Sequence, residues 1–320
     1  MNKIWSVILA AALAVSVAGC SASSGSAGKA SGYQAKKVTL TYVKSPLNVP
    51  SIVEKEKGLL AAAYKKYGVT VAYANLTTGP EQTQALASGD VQFLYAVGAT
   101  SVITAAAGGA DVKIISMYSR SPKAFEIFTK NKNIQSASDL KGKKIAGPKG
   151  TILHELLVAY LKTAGLTQKD VNFVSMDIPS SQAALESGSV DAALLAGANA
   201  YNEQKAGARV LTTGENLVDG TIAVATSQKF YNVNKPLVSV FLKTQKETLE
   251  YVQSHHADAM ALTAKATGLS GDAVESMFPL YDFSPTIRES DITSMKHTEE
   301  FLKSNDMISK DVDVSGLILK

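Results

Sequence analysis

Two periods alternate along most of the chain. Short runs rich in β-branched and aromatic residues, bounded by turn residues, predict strands: "VTLTYV" (Val38–Val43), "VTVAYAN" (Val69–Asn75), "VQFLYAV" and "VKIISMYS". Between them, apolar residues recur every three or four positions and predict helices. "VPSIVEKEKGLLAAAYKKYG" reads as one helix, with Pro50 near its start and Gly68 at its end. The resulting order, strand and helix in turn, is that of a parallel sheet with helices on its faces. "AFEIFTK" (Ala124–Lys130) breaks the alternation, because no helix separates it from the strand before. It reads as a strand leaving one sheet for another. The cycle then restarts with "KKIAG", a helix from about Thr151 and the strand "VNFVSMD". "GTIAVATSQKF" reads as a second crossing segment, and the tail from about Pro236 is helical, with Val238, Phe241, Leu242, Leu249 and Val252 in register.

This order predicts an α/β protein of two lobes, each a mixed, mainly parallel sheet flanked by helices. The first lobe is discontinuous, 38–123 and 226–320, and the second is 124–225. Two crossings, near Ser121–Ala124 and near Gly220–Thr226, make a two-segment hinge, and a hinge between lobes makes a cleft.

A repeat supports the two-lobe reading. "PEQTQALASGDVQFLYAVG" (Pro80–Gly98) and "PSSQAALESGSVDAALLAG" (Pro179–Gly197) align without a gap at a spacing of 99, with seven of nineteen positions identical. In each copy a Pro opens a helix, Gly89 or Gly188 stops it, and a strand delivers Gly98 or Gly197 to one edge.

The first residues follow neither period. Lys3 precedes an apolar stretch, Ile4–Gly19, shorter than the ~20 residues of a comfortable membrane span. It ends in "VAGC", and Cys20 is the single cysteine of the sequence. Residues 1–19 therefore read as a lipoprotein leader, Cys20 as a lipidated (palmitate-bearing) N-terminus, and 20–37 as a Gly/Ser/Ala tether. The alternative is an ordinary leader that contains a Cys. The expected location is a membrane surface, lipid-anchored, facing the periplasm or cell exterior.

Composition narrows the function. Hydrophobic residues make up 46% and charged residues 19%, which supports a large core. Net charge is +4, from 32 basic and 28 acidic residues, with no basic run interleaved with aromatics, so nucleic acid is not a predicted partner.

In α/β sheets of this kind ligands bind beyond the carboxyl ends of the strands, where helix N-termini present free N–H groups. The loops at that edge are "KSPLN", "TTGPE", "GATS" and "YSRS" in the first lobe, "GPKGT", "DIPSS" and "GANA" in the second, and "VDGT" at the return crossing. They supply the candidate ligand contacts Ser45, Asn48, Gly79, Thr100, Ser101, Tyr118, Arg120, Gly150, Thr151, Ser180, Asn199 and Asp219. The hydroxyl residues, Ser181 among them, read equally as helix caps. Arg120 reads as the partner of an anionic ligand, with Lys149 as a second candidate, or as a surface arginine. Asp219 reads as a seat for an ammonium group or as a turn residue. His154 reads as a packed helix residue, and Tyr281 and Phe283 as lining the cleft or capping the first lobe's core. No GxSxG, HExxH, Walker A or GxGxxG pattern is present, and His255 and His256 point to different helix faces, so neither catalysis, cofactor nor metal is expected.

The leader, "KSPLNVPSIVEKEKGLL", "GPEQTQALASGDVQF", "DVKIISMYSRSP", "SASDLKGKKIAGPKGTILHELLVAYLKTAGL" and "VDAALLAG" resemble the solute-binding proteins of ABC importers. The similarity is to the aliphatic-sulfonate, taurine and nitrate branch, which includes binders of thiamine-precursor pyrimidines, and runs from about Val38 to Leu302. It implies the type II periplasmic-binding fold, closure of the cleft on a small solute, and delivery to a permease with its own ATPase subunit, by a monomeric binding protein. It also implies that Thr100-Ser101 and Gly150-Thr151 hold an anionic head, that Ser45–Asn48 touch the ligand, and that His154 matches a histidine common after the "GT" pair. The third loop, "GATS", departs from the acidic residue and prolines of many sulfonate binders. The expected ligand is a small anionic or zwitterionic solute, an aliphatic sulfonate or taurine-like compound, and the alternatives are another small sulfur compound, an amino acid, nitrate or a thiamine-precursor pyrimidine. Two other readings are a surface adhesin or sensor subunit, and a pyrimidine-synthesising relative of the same fold.

Overall fold

The computed structural model describes residues 32–319; the leader, Cys20 and the first part of the tether lie outside the described residues. The tether was expected to run free to Lys37. Instead its end is bound: the backbone N–H groups of Gln34 and Ala35 donate to Asn234 Oδ1 at 2.8 and 2.9 Å, and Tyr33 Oη donates to the Tyr67 carbonyl.

The first lobe begins with β1 (Lys37–Thr41), α1 (Val49–Lys57), α2 (Leu59–Lys65), β2 (Thr70–Ala74), α3 (Gly79–Ser88), β3 (Leu94–Gly98), α4 (Ala99–Ala107) and β4 (Lys113–Arg120). The single helix predicted after β1 is two, because Gly58 takes a left-handed conformation between α1 and α2. The chain then crosses over and forms β5 (Phe125–Thr129), β6 (Lys144–Gly147), α5 (Ile152–Lys162), β7 (Asn172–Ser175), α6 (Ile178–Glu186), β8 (Ala192–Ala196), α7 (Gly197–Lys205) and β9 (Arg209–Thr213). It returns through β10 (Thr221–Thr226) to the helices α8 (Gln228–Ser254), α9 (His256–Thr267), α10 (Gly271–Met277), α11 (Glu289–Ser304) and α12 (Val314–Leu317). α8 is kinked at Asn234, two residues before Pro236.

The two sheets share one plan. In the second lobe the order is β7-β6-β8-β5-β9, with β6 parallel to β7 and β8, and β5 antiparallel to both its neighbours. In the first, β2 pairs parallel with β1, a single Leu40–Phe93 bridge just before β3 links that pair to the rest, and β10 lies antiparallel between β3 and β4. Each lobe thus receives as its antiparallel strand the one that has just crossed from the other lobe. This moves a predicted boundary. Residues 221–225 were assigned to the second lobe, but their hydrogen bonds place β10 in the first lobe's sheet, so the return crossing ends before Thr221.

The crossings touch. Ser121 N–H donates to the Gly220 carbonyl, and a Cβ on Gly220, at φ +60°, would meet Ser121 C and Pro122 N at 2.7 Å. Only glycine lets the two hinge segments run this close. β8 and β10 are buried along their whole length, as strands covered on both faces by helices must be.

Candidate functional site

Both copies of the repeat do the same work in the fold. α3 in the first lobe and α6 in the second begin at the interlobe face, and β3 and β8 end there, where α4 and α7 begin at once. α5 begins there too, after the loop Pro148–Thr151. Between these helix starts lies a cavity of two chambers. The deeper, of about 80 Å³, is lined by Ser45, Pro46, Gly79, Gln82, Gly98 and Ser101 from the first lobe, by Phe125, Pro148, Thr151, Ile152 and Ile178 from the second, and by Ile222 on the return strand. The outer, of about 250 Å³, adds Lys44, Asn75, Thr78, Ala198 and Asn199, and the chambers share Val43, Ser45, Thr77, Pro148 and Ile178. At ~30 Å³ per water in the liquid, the outer chamber has room for a small solute and not for a drug-sized one.

The walls are apolar with hydroxyls set among them, and among the described residues Lys44 is the one charged side chain on either chamber's lining. The polar supply comes from the backbone. α3 is closed by a capping box between Thr78 and Glu81, and α6 by Asp177, which accepts from Ser180 N–H. α4, α5 and α7 have no side-chain cap. Their first-turn N–H groups lie at the cavity edge, where a negative charge gains from the helix dipole.

Close approach shapes the deeper chamber. A Cβ on Gly79 would lie 2.1 Å from Ser101 Oγ and 2.6 Å from Ser101 Cβ. Glycine at this position brings the start of α3 against that of α4. Contacts then tie the lobes across the cavity: Ser101 Oγ donates to the Gly150 carbonyl at 2.8 Å, and Ser45 Oγ to the Ala196 carbonyl at 3.4 Å. Thr100 Oγ1 donates to Glu155 Oε2 at 2.5 Å, and Thr298 Oγ1 on α11 to Glu155 Oε1 at 3.1 Å. Burial pushes the Glu155 carboxyl up to about 7, against the lowering effect of these two hydroxyls, and the charge of Asp219 raises it further.

Of the twelve residues predicted to contact ligand, Ser45, Gly79, Ser101, Thr151 and Asn199 line the cavity. The others are placed elsewhere. Asn48 is buried and braces the first loop, its Nδ2 donating to the Val43 and Ser45 carbonyls. Thr100 faces Glu155, and the Gly150 carbonyl receives Ser101. Tyr118 packs edge-on to Tyr95 and Phe283 in the first lobe's core, with Ser51 on its hydroxyl. Ser180 is exposed and its N–H is spent on Asp177. Asp219 is exposed on the return crossing, off the cavity lining.

Arg120 is the largest correction. Its Nε and Nη2 form a bidentate pair with Asp291 at 2.6 and 2.5 Å, Nη1 donates to the Ser284 carbonyl and Nη2 also to that of Thr286. Asp282 stands at 3.7 Å. The guanidinium is spent on the first turn of α11 and the loop before it, so none of it reaches the cavity. Burial pushes the Asp291 carboxyl up, but the hydrogen bonds and charge of Arg120 outweigh it and hold the group below its ordinary value.

His154 is a packed residue, as its helical position predicts. It stacks on Phe173 at 4.8 Å, its Nδ1 accepts from Gly150 N–H, and Nε2 lies 3.0 Å from Gln168 Oε1. Burial pushes its imidazole down to about 4, with Lys149 adding to the effect and Gln168 opposing it. Lys149 itself is exposed. Tyr281 and Phe283 stack on each other and cap the first lobe, Tyr281 Oη accepting from Leu47 N–H. The residues that sequence reasoning missed are the apolar walls: Phe125, Ile152, Leu153, Ile178 and Ile222. Pro148, Thr77 and Lys44 sit in loops that it singled out, without being chosen.

A family model described as NMT1/THI5 like matches residues 46–259. The chain is 28% identical over 318 residues to a protein named as a putative aliphatic sulfonates-binding protein of Bacillus subtilis (strain 168), covering 98% of this chain and 93% of the relative. It is 27% identical over 330 residues to one of the same name from Escherichia coli (strain K12), covering 98% and 95%. Among solved structures it is similar to the alkanesulfonate-binding protein SsuA from Xanthomonas axonopodis pv. citri bound to MOPS, with a TM-score of 0.81, 22% identity, and coverage of 89% of this chain and 98% of that one.

Proposed function

The chain belongs to the NMT1/THI5-like family, and from that premise we propose that it is the extracytoplasmic solute-binding component of an ABC importer. It captures a small anionic or zwitterionic solute, an aliphatic sulfonate or taurine-like compound, between its lobes and delivers it to a membrane permease served by an ATPase. Cys20 carries a lipid that holds the protein at the membrane. The observation that supports this best is the two-chamber cavity, walled by both lobes and edged by three helix starts without side-chain caps.

The chemistry follows from the lining. A sulfonate head takes hydrogen bonds from first-turn N–H groups of α4 and α5, and the Ser101 and Thr151 hydroxyls, which otherwise donate to the Gly150 and Pro148 carbonyls, add theirs by turning from those carbonyls to the ligand. It carries its charge delocalised over three oxygens, which suits several weak donors better than one strong cation. Its short alkyl part lies against Ile152, Phe125 and Ile222, and Lys44 adds a positive charge at the outer chamber. Because the lining comes from both lobes, ligand favours the closed arrangement by its differential affinity for it, and closure is what the permease reads.

Calorimetric titration and thermal shift with ethanesulfonate, taurine, nitrate, amino acids and pyrimidines test the reading. A sulfonate at about a hundred times its Kd stabilises the fold by about 2.7 kcal/mol. Stabilisation by amino acids, nitrate or pyrimidines with none from any sulfonate overturns the assignment of ligand class; no response from any of them overturns capture of a small solute.

A further inference from the structure

Among the contacts that join the lobes, one is made by a carboxyl. Glu155 leaves the first turn of α5 in the second lobe and is 6% exposed. Both hydroxyls that donate to it, Thr100 on α4 and Thr298 on α11, belong to the first lobe. Such a group is dry only while the lobes are together. When they part, it loses both donors and meets water. We infer that Glu155 couples closure of the lobes to the uptake of one proton, the closed arrangement holding the acid and the open one the carboxylate. The inference rests on the reading of the cavity as a site that opens and closes.

The surroundings favour the acid in the closed arrangement. Burial there pushes Glu155 up to about 7, and Asp219 on the return crossing acts in the same direction. α4 ("ATSVITAAA") and β8 ("AALLA") bring no ionisable side chain to α5. On β5, Glu126 opens instead onto a separate cavity beside Tyr201 and Tyr281, and Asp139, in the turn preceding β6, is held by Gln135 and Ser136. On α11, Thr298 stands between exposed His297 and half-buried Glu299, and Glu299 is engaged by Val312 N–H. On α5 itself, His154 is turned to Phe173 and Gln168 and is kept neutral by burial. The sign follows. A carboxyl raised on closure favours the closed form fully below its ordinary value, and that advantage is lost as pH rises through about 7.

The test is small-angle X-ray scattering of the ligand-free full chain from about pH 8 to about pH 5, read as the radius of gyration. The expected result is compaction as pH falls. Glu155→Gln, which fixes the neutral form, is equally compact across the range. Thr298→Val, which removes a hydrogen bond that favours the carboxylate, moves the midpoint to higher pH and serves where the Gln variant fails to fold. A wild-type radius that does not change with pH, or a transition that persists unshifted in the variants, overturns the inference. No ligand enters this experiment, so failure of the sulfonate assignment in a separate titration with ethanesulfonate leaves its result readable.

Discussion

Arg120, at the end of β4, and the interlobe cavity, at the end of β3, stand on one edge of the same sheet with β10 between them, and they divide charge and openness. Around Arg120 the charges are dense and every one is answered: Asp291, Asp282 and two carbonyls close on the guanidinium. Around the cavity there is one lysine, a set of hydroxyls, and three helix starts with no side chain across them. A satisfied ion pair has nothing left to offer a ligand, however well placed it looks. A cavity edged by unsatisfied backbone donors has much to offer without a formal charge. Binding capacity in this fold is therefore counted in unspent donors and not in charged residues.

The largest expected effect comes from breaking the charged region. Arg120→Ala leaves Asp291 buried without its partner and costs about 3 kcal/mol of stability in urea unfolding. The affinity for ethanesulfonate, measured on the folded variant, stays within about twofold. A large loss of affinity at preserved stability would put Arg120 back in the site. Gly79→Ala acts on the other region. Its methyl collides with Ser101 at the deeper chamber, so affinity falls by about tenfold or more, while stability falls by only about 1–2 kcal/mol. Ser101→Ala is milder still. It removes one lobe-to-lobe hydrogen bond, worth about 1 kcal/mol, and weakens binding about fivefold with the unfolding midpoint little changed.

The smallest effect concerns His154, which lies beside the cavity and yet belongs with Arg120 among the spent groups. Its imidazole is pushed down to about 4, so it stays neutral where an ordinary histidine is half protonated. The stability this contributes is fully present above about pH 6.5 and is lost as pH falls through about 4. An NMR titration should show the His154 ring signals flat from about pH 8 to about pH 6. Titration near neutrality would mean that the ring is exposed to the cavity.

The repeat could be read in advance because its punctuation is local. Pro80 and Pro179 start α3 and α6, and Gly89 and Gly188, both at positive φ, end their turns. The two-lobe plan followed from that and from the missing helix before β5. The position of β10 was not legible, since nothing in "TIAVAT" says which sheet will accept it; its partners are on β3 and β4, a hundred residues earlier. Arg120 was misplaced for the same reason. Its neighbours in sequence suggest a strand end open to ligand, whereas Asp291, which captures it, lies 171 positions away. Phe125 and Ile222 reach the cavity as ordinary apolar residues of hinge strands, and no local pattern distinguishes them from core.

Hydrogen exchange on the full chain, with and without ethanesulfonate, places both regions in one measurement. Exchange is expected to slow on ligand addition at the amides that open α4 and α5, Ala99–Ser101 and Ile152–Leu153, and to stay unchanged in segment 282–291, the loop and first turn of α11 that hold Arg120. Protection confined to that segment, with the starts of α4 and α5 unaffected, would contradict it.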